Sequence, residues 1–332
     1  MMKSMKHNII FCLVALMGLL TSCNIYETIE PCPKGVSMRF VYDYNMEYAD
    51  AFSKQIDCLT LYIYDENGNY VQTRTETGSA LQDENYRMVI DLPEGSYRFV
   101  AYGGLACEQH SFSPLAEPAK GATFNDLQVM LQQEEYTSRE LLHDLFWGTL
   151  EVKVEGEMYR DVTLYLMRNT NNVRIVLQQA DMSSEPLDID DFDISITDNN
   201  YHFAADNTLL TDGQELTYLP WTSGDDLIAG ETAQGETASV AYAEFSLSRL
   251  MTTNEPRLVI YSHQQQETVV DIPLIKYLLL LKSEKYATMG DQEYLDRENL
   301  WSIVFLLNDY TWHDVQIVIN DWTVRNDNIE LK

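Results

Sequence analysis

From Val36 onward, apolar residues fall mainly at every second position. Val36, Met38, Phe40 and Tyr42 alternate with Ser37, Arg39 and Asp43, the period of a strand with one buried face. Leu59, Leu61 and Ile63 repeat it. Asp65-Glu66-Asn67-Gly68-Asn69 then supplies residues that tolerate positive φ, so Tyr70-Val71-Gln72-Thr73 is expected to return as a hairpin partner. Met88, Ile90 and Leu92 alternate, Pro93-Glu94-Gly95 turns the chain, and Tyr97, Phe99 and Ala101 alternate again.

Ser111 to Arg139 shows no clear period, and Phe146 to Val154, with Trp147, reads as a closing strand. Glu155-Gly156-Glu157 marks the expected boundary. A new series follows with Val162, Leu164 and Leu166, then Asn169 to Asn172, then Val173, Ile175 and Leu177, which predicts a second hairpin across an Asn-rich turn. Ile194 and Ile196, Val240 to Leu247, Leu258 to Tyr261 and Val269 to Ile272 continue the strand pattern. Pro273 is placed to open a short helix from Leu274 to Lys282. Trp301 to Leu307 and Val315 to Ile319 read as the last long strands. The expected fold is all-β, with two tandem sandwiches over residues 35–156 and 157–332 and minor helix. A chain of 332 residues can bury two such cores.

The amino terminus has a different pattern. Lys3, Lys6 and His7 precede an uncharged, mostly apolar run from Ile9 to Leu20, and Leu20-Thr21-Ser22-Cys23 follows directly. The run is shorter than the ~20 residues a membrane-crossing helix needs. It resembles a bacterial lipoprotein signal peptide ending in a lipobox: residues 1–22 would be removed, and the Cys23 thiol would become the thioether that carries diacylglycerol. Two or more acyl chains hold a protein stably on a membrane. Residues 23–34, with Pro31 and Pro33, read as an extended tether.

The formal charge is −30, and losing Lys3 and Lys6 takes it to −32. That balance argues against nucleic acid and against attraction to anionic lipid headgroups. Of the five cysteines, Cys12 leaves with the signal and Cys23 takes the lipid, leaving Cys32, Cys58 and Cys107. An exported chain crosses an oxidising space, so one disulfide and one buried thiol are expected. Cys32 with Cys107 is the expected pair, because both lie in turn-like surroundings while Cys58 lies in a strand pattern. No Cys and His spacing suggests zinc.

Asp65, Asn67 and Asn69 could be read as calcium ligands, but the glycine comes too early for an EF-hand loop and no bidentate Glu follows at the required spacing, so turn chemistry is the better reading. Asp188, Asp190, Asp191 and Asp193 read as a solvated loop leading into a strand. His110, His143, His202, His263 and His313 stand beside neither Gly-x-Ser-x-Gly nor His-Glu-x-x-His, so no catalytic residue, metal or cofactor is assigned. Trp147, Trp221, Trp301, Trp312 and Trp322 keep open a different function, a glycan-stacking platform on a surface lipoprotein.

Three stretches carry a family resemblance. Leu92 to Phe99 is similar to the strand-turn-strand signature of transthyretin-like sandwiches. Tyr42-Asp43-Tyr44-Asn45-Met46 with Asp50-Ala51-Phe52 and Leu59 to Tyr70, then Leu92 to Gly104, then Gln292 to Asn299 with Trp301 to Phe305 and Ile319-Asn320-Asp321-Trp322, resemble the FimB/Mfa2 fimbrial anchor family of Bacteroidetes. Ser111 to Thr149 and Ser183 to Ala238 carry no matching motif. The absent catalytic motifs argue against an enzyme, and the resemblance implies a lipoprotein on the cell outer membrane, held by lipid at Cys23 and surface-exposed. It would hold a fibre through a strand-addition joint to a fimbrillin-type shaft subunit. Within Gln292 to Asn299, Asp296 and Arg297 are expected to hold the final strands by charge-assisted hydrogen bonds.

Overall fold

The structure, a computed structural model, describes residues 34–156, 158–179, 187–229, 237–280, 282–308, 310–319 and 322–325. The expected signal segment, the expected tether up to Pro33, Cys23 and Cys32 lie outside the described residues. The chain is all-β, with short helices at α1 (Phe52–Gln55), α2 (Leu274–Leu280) and α3 (Asp291–Arg297).

The first sheet has three strands. β1 (Gly35–Val41) lies between β4 (Met88–Asp91), antiparallel, and β10 (Tyr159–Tyr165), parallel along its whole length. Facing it is a five-stranded antiparallel sheet in the order β11 (Met167–Arg168), β9 (Phe146–Val154), β5 (Gly95–Gly103), β2 (Cys58–Asp65), β3 (Tyr70–Thr77). The alternating sets read from the sequence meet between the two sheets. Val36, Met38 and Phe40 of β1 share one core with Leu59, Leu61 and Ile63 of β2 and with Phe99 and Ala101 of β5.

β2 is not a one-faced strand. Its other face, Tyr62 and Tyr64, is also buried, together with Val100 and Tyr102 of β5. The cover comes from the stretch without a clear period: β6 (Phe112–Pro114) and β7 (Gln128–Leu131) form a small sheet with β14 (His202–Ala204). Phe112, Leu127, Val129 and Leu131 pack in the same core as those tyrosines. Short strands carry too few residues to display a period, which is why this layer is hidden in the letters.

A further five-stranded sheet runs β19 (Glu267–Pro273), β18 (Arg257–Ser262), β13 (Phe192–Asp198), β15 (Leu216–Tyr218), β8 (Thr137–Ser138). The last is six-stranded: β16 (Thr222–Ala229), β17 (Thr237–Ser248), β12 (Thr170–Gln179), β20 (Leu300–Asn308), β21 (Thr311–Ile319), β22 (Trp322–Arg325). β12 pairs antiparallel with β17 and parallel with β20, so the chain must cross over before β20. α2 and α3 lie in that crossing, and α2 begins directly after Pro273, as the proline predicts. Leu274, Ile275, Tyr277 and Leu278 turn its apolar side into the core.

The hairpin expected of Val162 to Leu166 with Val173 to Leu177 does not form. β10 pairs with β1 and β12 with β17 and β20, so the two strands enter different sheets. Asn169 and Asn171, read as turn residues, are buried. Their amides hydrogen-bond inside the protein: Asn169 exchanges bonds with Asn207 at 2.6 and 3.1 Å, and Asn171 Oδ1 accepts from the Trp301 indole at 3.0 Å.

The expected Cys32–Cys107 disulfide is also corrected, since Cys107 is bonded to Cys58. β2 and β5 are antiparallel neighbours with Leu59 opposite Gly103, so the residue that opens β2 lies beside the turn that follows β5. The two Cα atoms are 5.3 Å apart, within disulfide reach. A place inside a strand pattern did not keep Cys58 a free thiol, because it stands at the strand's first residue.

Candidate functional site

Two features concern function: a polar joint that is sealed and a strand pair that is not. The joint starts from the loop Tyr42 to Asp50. Asp50 Oδ1 accepts from the backbone N–H groups of Tyr42 and Phe52, both at 3.1 Å, and Asn45 Nδ2 donates to Ala49 O at 2.8 Å. These bonds fix the loop so that Tyr44 and Tyr48 stand over the Arg297 guanidinium, 4.1 and 4.5 Å from the ring centres. Arg297 also donates to Glu293 at 2.8 Å and to Asn45 O at 3.2 Å. Burial pushes the Tyr44 hydroxyl pKa up, with Asp296 adding to the effect.

One residue earlier on α3, Asp296 takes a bidentate bond from Arg249, both contacts 2.8 Å, with side chains only 5% and 11% exposed. Gln292 Nε2 adds a bond to Asp296 at 2.9 Å while its Oε1 accepts from Thr252 N at 2.8 Å. Glu298, buried and with its pKa raised by burial, accepts from Asn299 N and Leu300 N at 3.0 and 3.1 Å. The sequence reading joined Asp296 and Arg297 in one structural role. The role is structural, but they take separate partners, because adjacent helical residues point about 100° apart.

The second feature lies between β9 and β10. These strands follow each other through residues 155–158, yet belong to different sheets. The turn end is tied by Arg160 Nη1 donating to Lys153 O at 2.8 Å. Beyond it the strands splay, and a groove of about 430 Å³ runs between Leu150–Lys153 and Arg160–Thr163. Among the described residues, β9 has a strand neighbour on this side only at Phe146 and Trp147, and β10 is paired only with β1. Among the described residues, the outer edges of β9 from Gly148 on and of β10 therefore have no partner strand. Sequence reasoning missed the groove: Glu155-Gly156-Glu157 looks the same whether the strands it joins pair or part.

The remaining sequence candidates are dispersed. Asp65 Oδ1 accepts from Asn67 N and Asn69 N at 2.9 and 2.8 Å, and the Asn69 side chain holds its carboxyl below the usual range, so the acidic loop closes a turn. Asp188 Oδ1 accepts from Asp190 N at 2.9 Å, and Asp193 pairs with His263 at 2.9 Å, raising the imidazole pKa. His202, its pKa lowered by burial, contacts Gln128 at 3.0 Å. The Trp147 indole donates to Ala205 O at 3.0 Å, Trp301 is buried, and Trp312 packs edge-on against Phe305. Trp221 is 37% exposed. The side chains of His313 and Trp322 lie outside the described residues.

Comparison with solved structures finds the same architecture elsewhere. A proposed adhesin from Bacteroides thetaiotaomicron is 51% identical, with a TM-score of 0.82, over 90% of this chain and 99% of the other. A proposed polysaccharide-binding protein from the same organism is 34% identical, with a TM-score of 0.76, over 88% and 98%. The fimbrial anchor protein Mfa2 from Porphyromonas gingivalis is 17% identical, with a TM-score of 0.64, over 89% and 99%, a likeness of fold. No curated protein matches. The family model of Fimbrillin-A associated anchor proteins Mfa1 and Mfa2 matches residues 29–328, and the chain belongs to that family.

Proposed function

We propose that this chain is the lipid-anchored base of a surface fimbria, held to the outer membrane through Cys23 and to a fimbrillin-type shaft subunit by strand addition. The observation that carries the reading is the groove between β9 and β10. An extended segment laid there would pair with two edges at once, and half-buried Leu150 and Val162 would receive its alternate side chains. An open edge is otherwise an aggregation hazard, so its retention favours a partner. In this reading two sandwich modules divide after Arg168 rather than at Glu157, since β10 and β11 pair with β1 and β9.

Two variants test the two ends separately. Cys23→Ala is expected to release intact fibres into the medium. Leu150→Arg with Val162→Arg is expected to abolish shaft-subunit capture while the chain keeps its far-ultraviolet β-sheet signal and a cooperative urea transition. Fibres that stay cell-bound in the first variant, or full capture by the second, would overturn the reading.

Glycan binding is a second reading with one observation in its favour. Trp221 lines a cleft of about 370 Å³ with Asn172, Arg174, Glu244 and Ser302, an indole face beside hydrogen-bonding groups. Retardation in a polysaccharide affinity gel that is lost in Trp221→Ala would support it, and unchanged migration of the parent chain would remove it.

A further inference from the structure

The disulfide has neighbours that a purely structural cross-link does not need. Asp57 immediately precedes β2, Cys58 opens it, Cys107 lies in the turn after β5, and His143 lies in the segment before β9. His143 Nε2 is 3.1 Å from Cys107 Sγ and 3.3 Å from Asp57 Oδ1, while Asp57 Oδ1 is 3.0 Å from Cys107 Sγ. The four donor atoms, two sulfurs, one imidazole nitrogen and one carboxylate oxygen, all lie within 4.8 Å of one another. His143 is positioned by its own backbone, whose N–H donates to Ser111 Oγ at 2.8 Å.

A tetrahedral zinc ion bonds nitrogen and oxygen at ~2.0–2.1 Å and thiolate sulfur at ~2.3 Å, which sets ligand-to-ligand edges of about 3.3 Å for N to O and about 3.8 Å for S to S. The His143 to Asp57 edge already has that length. Opening the S–S bond moves the two sulfurs apart, toward their own edge. Cys58 is buried and Asp57 exposed, so the set is anchored on one side and reachable from the other.

We propose that Asp57, Cys58, Cys107 and His143 form a redox-gated site for a borderline-soft divalent metal ion such as Zn²⁺. In the oxidised chain both sulfurs are spent in the disulfide and neither is a thiolate ligand. A dithiol reductant supplies two electrons and two protons: its own sulfurs join as a disulfide, the Cys58–Cys107 bond breaks, and each cysteine takes a proton. The metal ion then displaces those two protons and is held by two thiolates, the neutral His143 imidazole and the Asp57 carboxylate. The start of β2 and the turn after β5 stay tied in both redox states, by a covalent bond in one and by the ion in the other, and the ion adds the segment before β9 through His143. The residues stand 49 and 36 positions apart along the chain, far outside the local spacings by which zinc sites are recognised in a sequence.

The full-length chain in detergent tests this with Co²⁺ and Zn²⁺ as the probes. It is reduced anaerobically with a phosphine, which is then removed, and titrated beside the untreated oxidised chain. The reduced chain is expected to bind one equivalent of Co²⁺ with thiolate-to-cobalt charge-transfer absorption, to release it to Zn²⁺, and to keep its far-ultraviolet β-sheet signal. The oxidised chain is expected to show no such band. His143→Ala and Asp57→Asn, which leave the disulfide intact, are each expected to weaken Zn²⁺ binding by at least about tenfold after reduction. A reduced chain that binds no Co²⁺, binds it without the thiolate band, loses its sheet signal, or binds as tightly without His143 overturns the proposal.

Discussion

The joint around Arg249, Asp296 and Arg297 and the groove between β9 and β10 are opposite solutions to one problem, the placing of polar groups within a packed β structure. In the joint each charged group meets a partner: Asp296 is bracketed by Arg249 and Gln292, and Arg297 by Glu293, Asn45 O and two tyrosine rings. In the groove two successive strands line an open cleft but do not pair with each other. The joint holds shape. The groove leaves strand edges without a partner strand among the described residues, the property on which the proposed strand-addition joint rests.

Amide exchange tests the contrast most strongly. Central β2, paired on both sides, is expected to exchange only on global unfolding, whereas outward amides of residues 148–154 should open at a cost lower by roughly 5 kcal/mol or more. Equal protection of the two strands in hydrogen-exchange mass spectrometry would erase the distinction. Bound shaft subunit should restore protection to the β9 amides and leave the joint unchanged.

Asp296→Ala strands the buried Arg249 guanidinium, and a loss of about 3–5 kcal/mol in urea unfolding is expected. A loss below about 1 kcal/mol would mean that the joint is not the sealed element described above.

Asp198 sharpens the comparison through pH. Its Oδ1 accepts from Asn199 N and Asn254 Nδ2 at 2.8 and 2.9 Å, and burial pushes its pKa up to about 6. That folded value lies above the ~3.9 of an unfolded aspartate, so the native state holds the extra proton between about pH 4 and 6. Stability should therefore fall as pH rises through that window, by on the order of 3 kcal/mol. Asp198→Asn keeps the Oδ1 acceptor and should flatten this slope; an unchanged slope in urea midpoints measured from pH 4 to 7 would assign it elsewhere.

Arg297→Lys carries the smallest expected effect. It keeps the charge but loses the planar stack on Tyr44 and Tyr48, which should cost about 0.5–2 kcal/mol without altering shaft-subunit capture. Lost capture at preserved stability would place the clamp within the binding site instead.

Much of the first two sheets is readable from alternation, because β1, β2 and β5 each carry an inward face of large apolar residues at period two. The small sheet of β6, β7 and β14 is not, since its strands are three and four residues long and draw partners from both halves of the chain. The Asn169 to Asn172 stretch looked like a turn because asparagine tolerates turn geometry; buried, the same amide satisfies strand crossings by pairing with Asn207 and Trp301. The motifs Tyr42 to Asn45 and Gln292 to Asn299 were both visible, but their meeting across some 250 positions was not.

By itself the sequence determined the all-β character, the positions of most long strands and the helix after Pro273, because these depend on local periodicity and on proline's fixed φ. Only the tertiary structure decided which strands pair and which part, that Cys58 rather than Cys32 meets Cys107, and that Asp57 and His143 stand beside that bond. The physical reason is range: alternation reports which side of a strand is buried, while neighbours in a sheet are chosen by contacts that close over tens to hundreds of residues and leave no periodic mark on the chain.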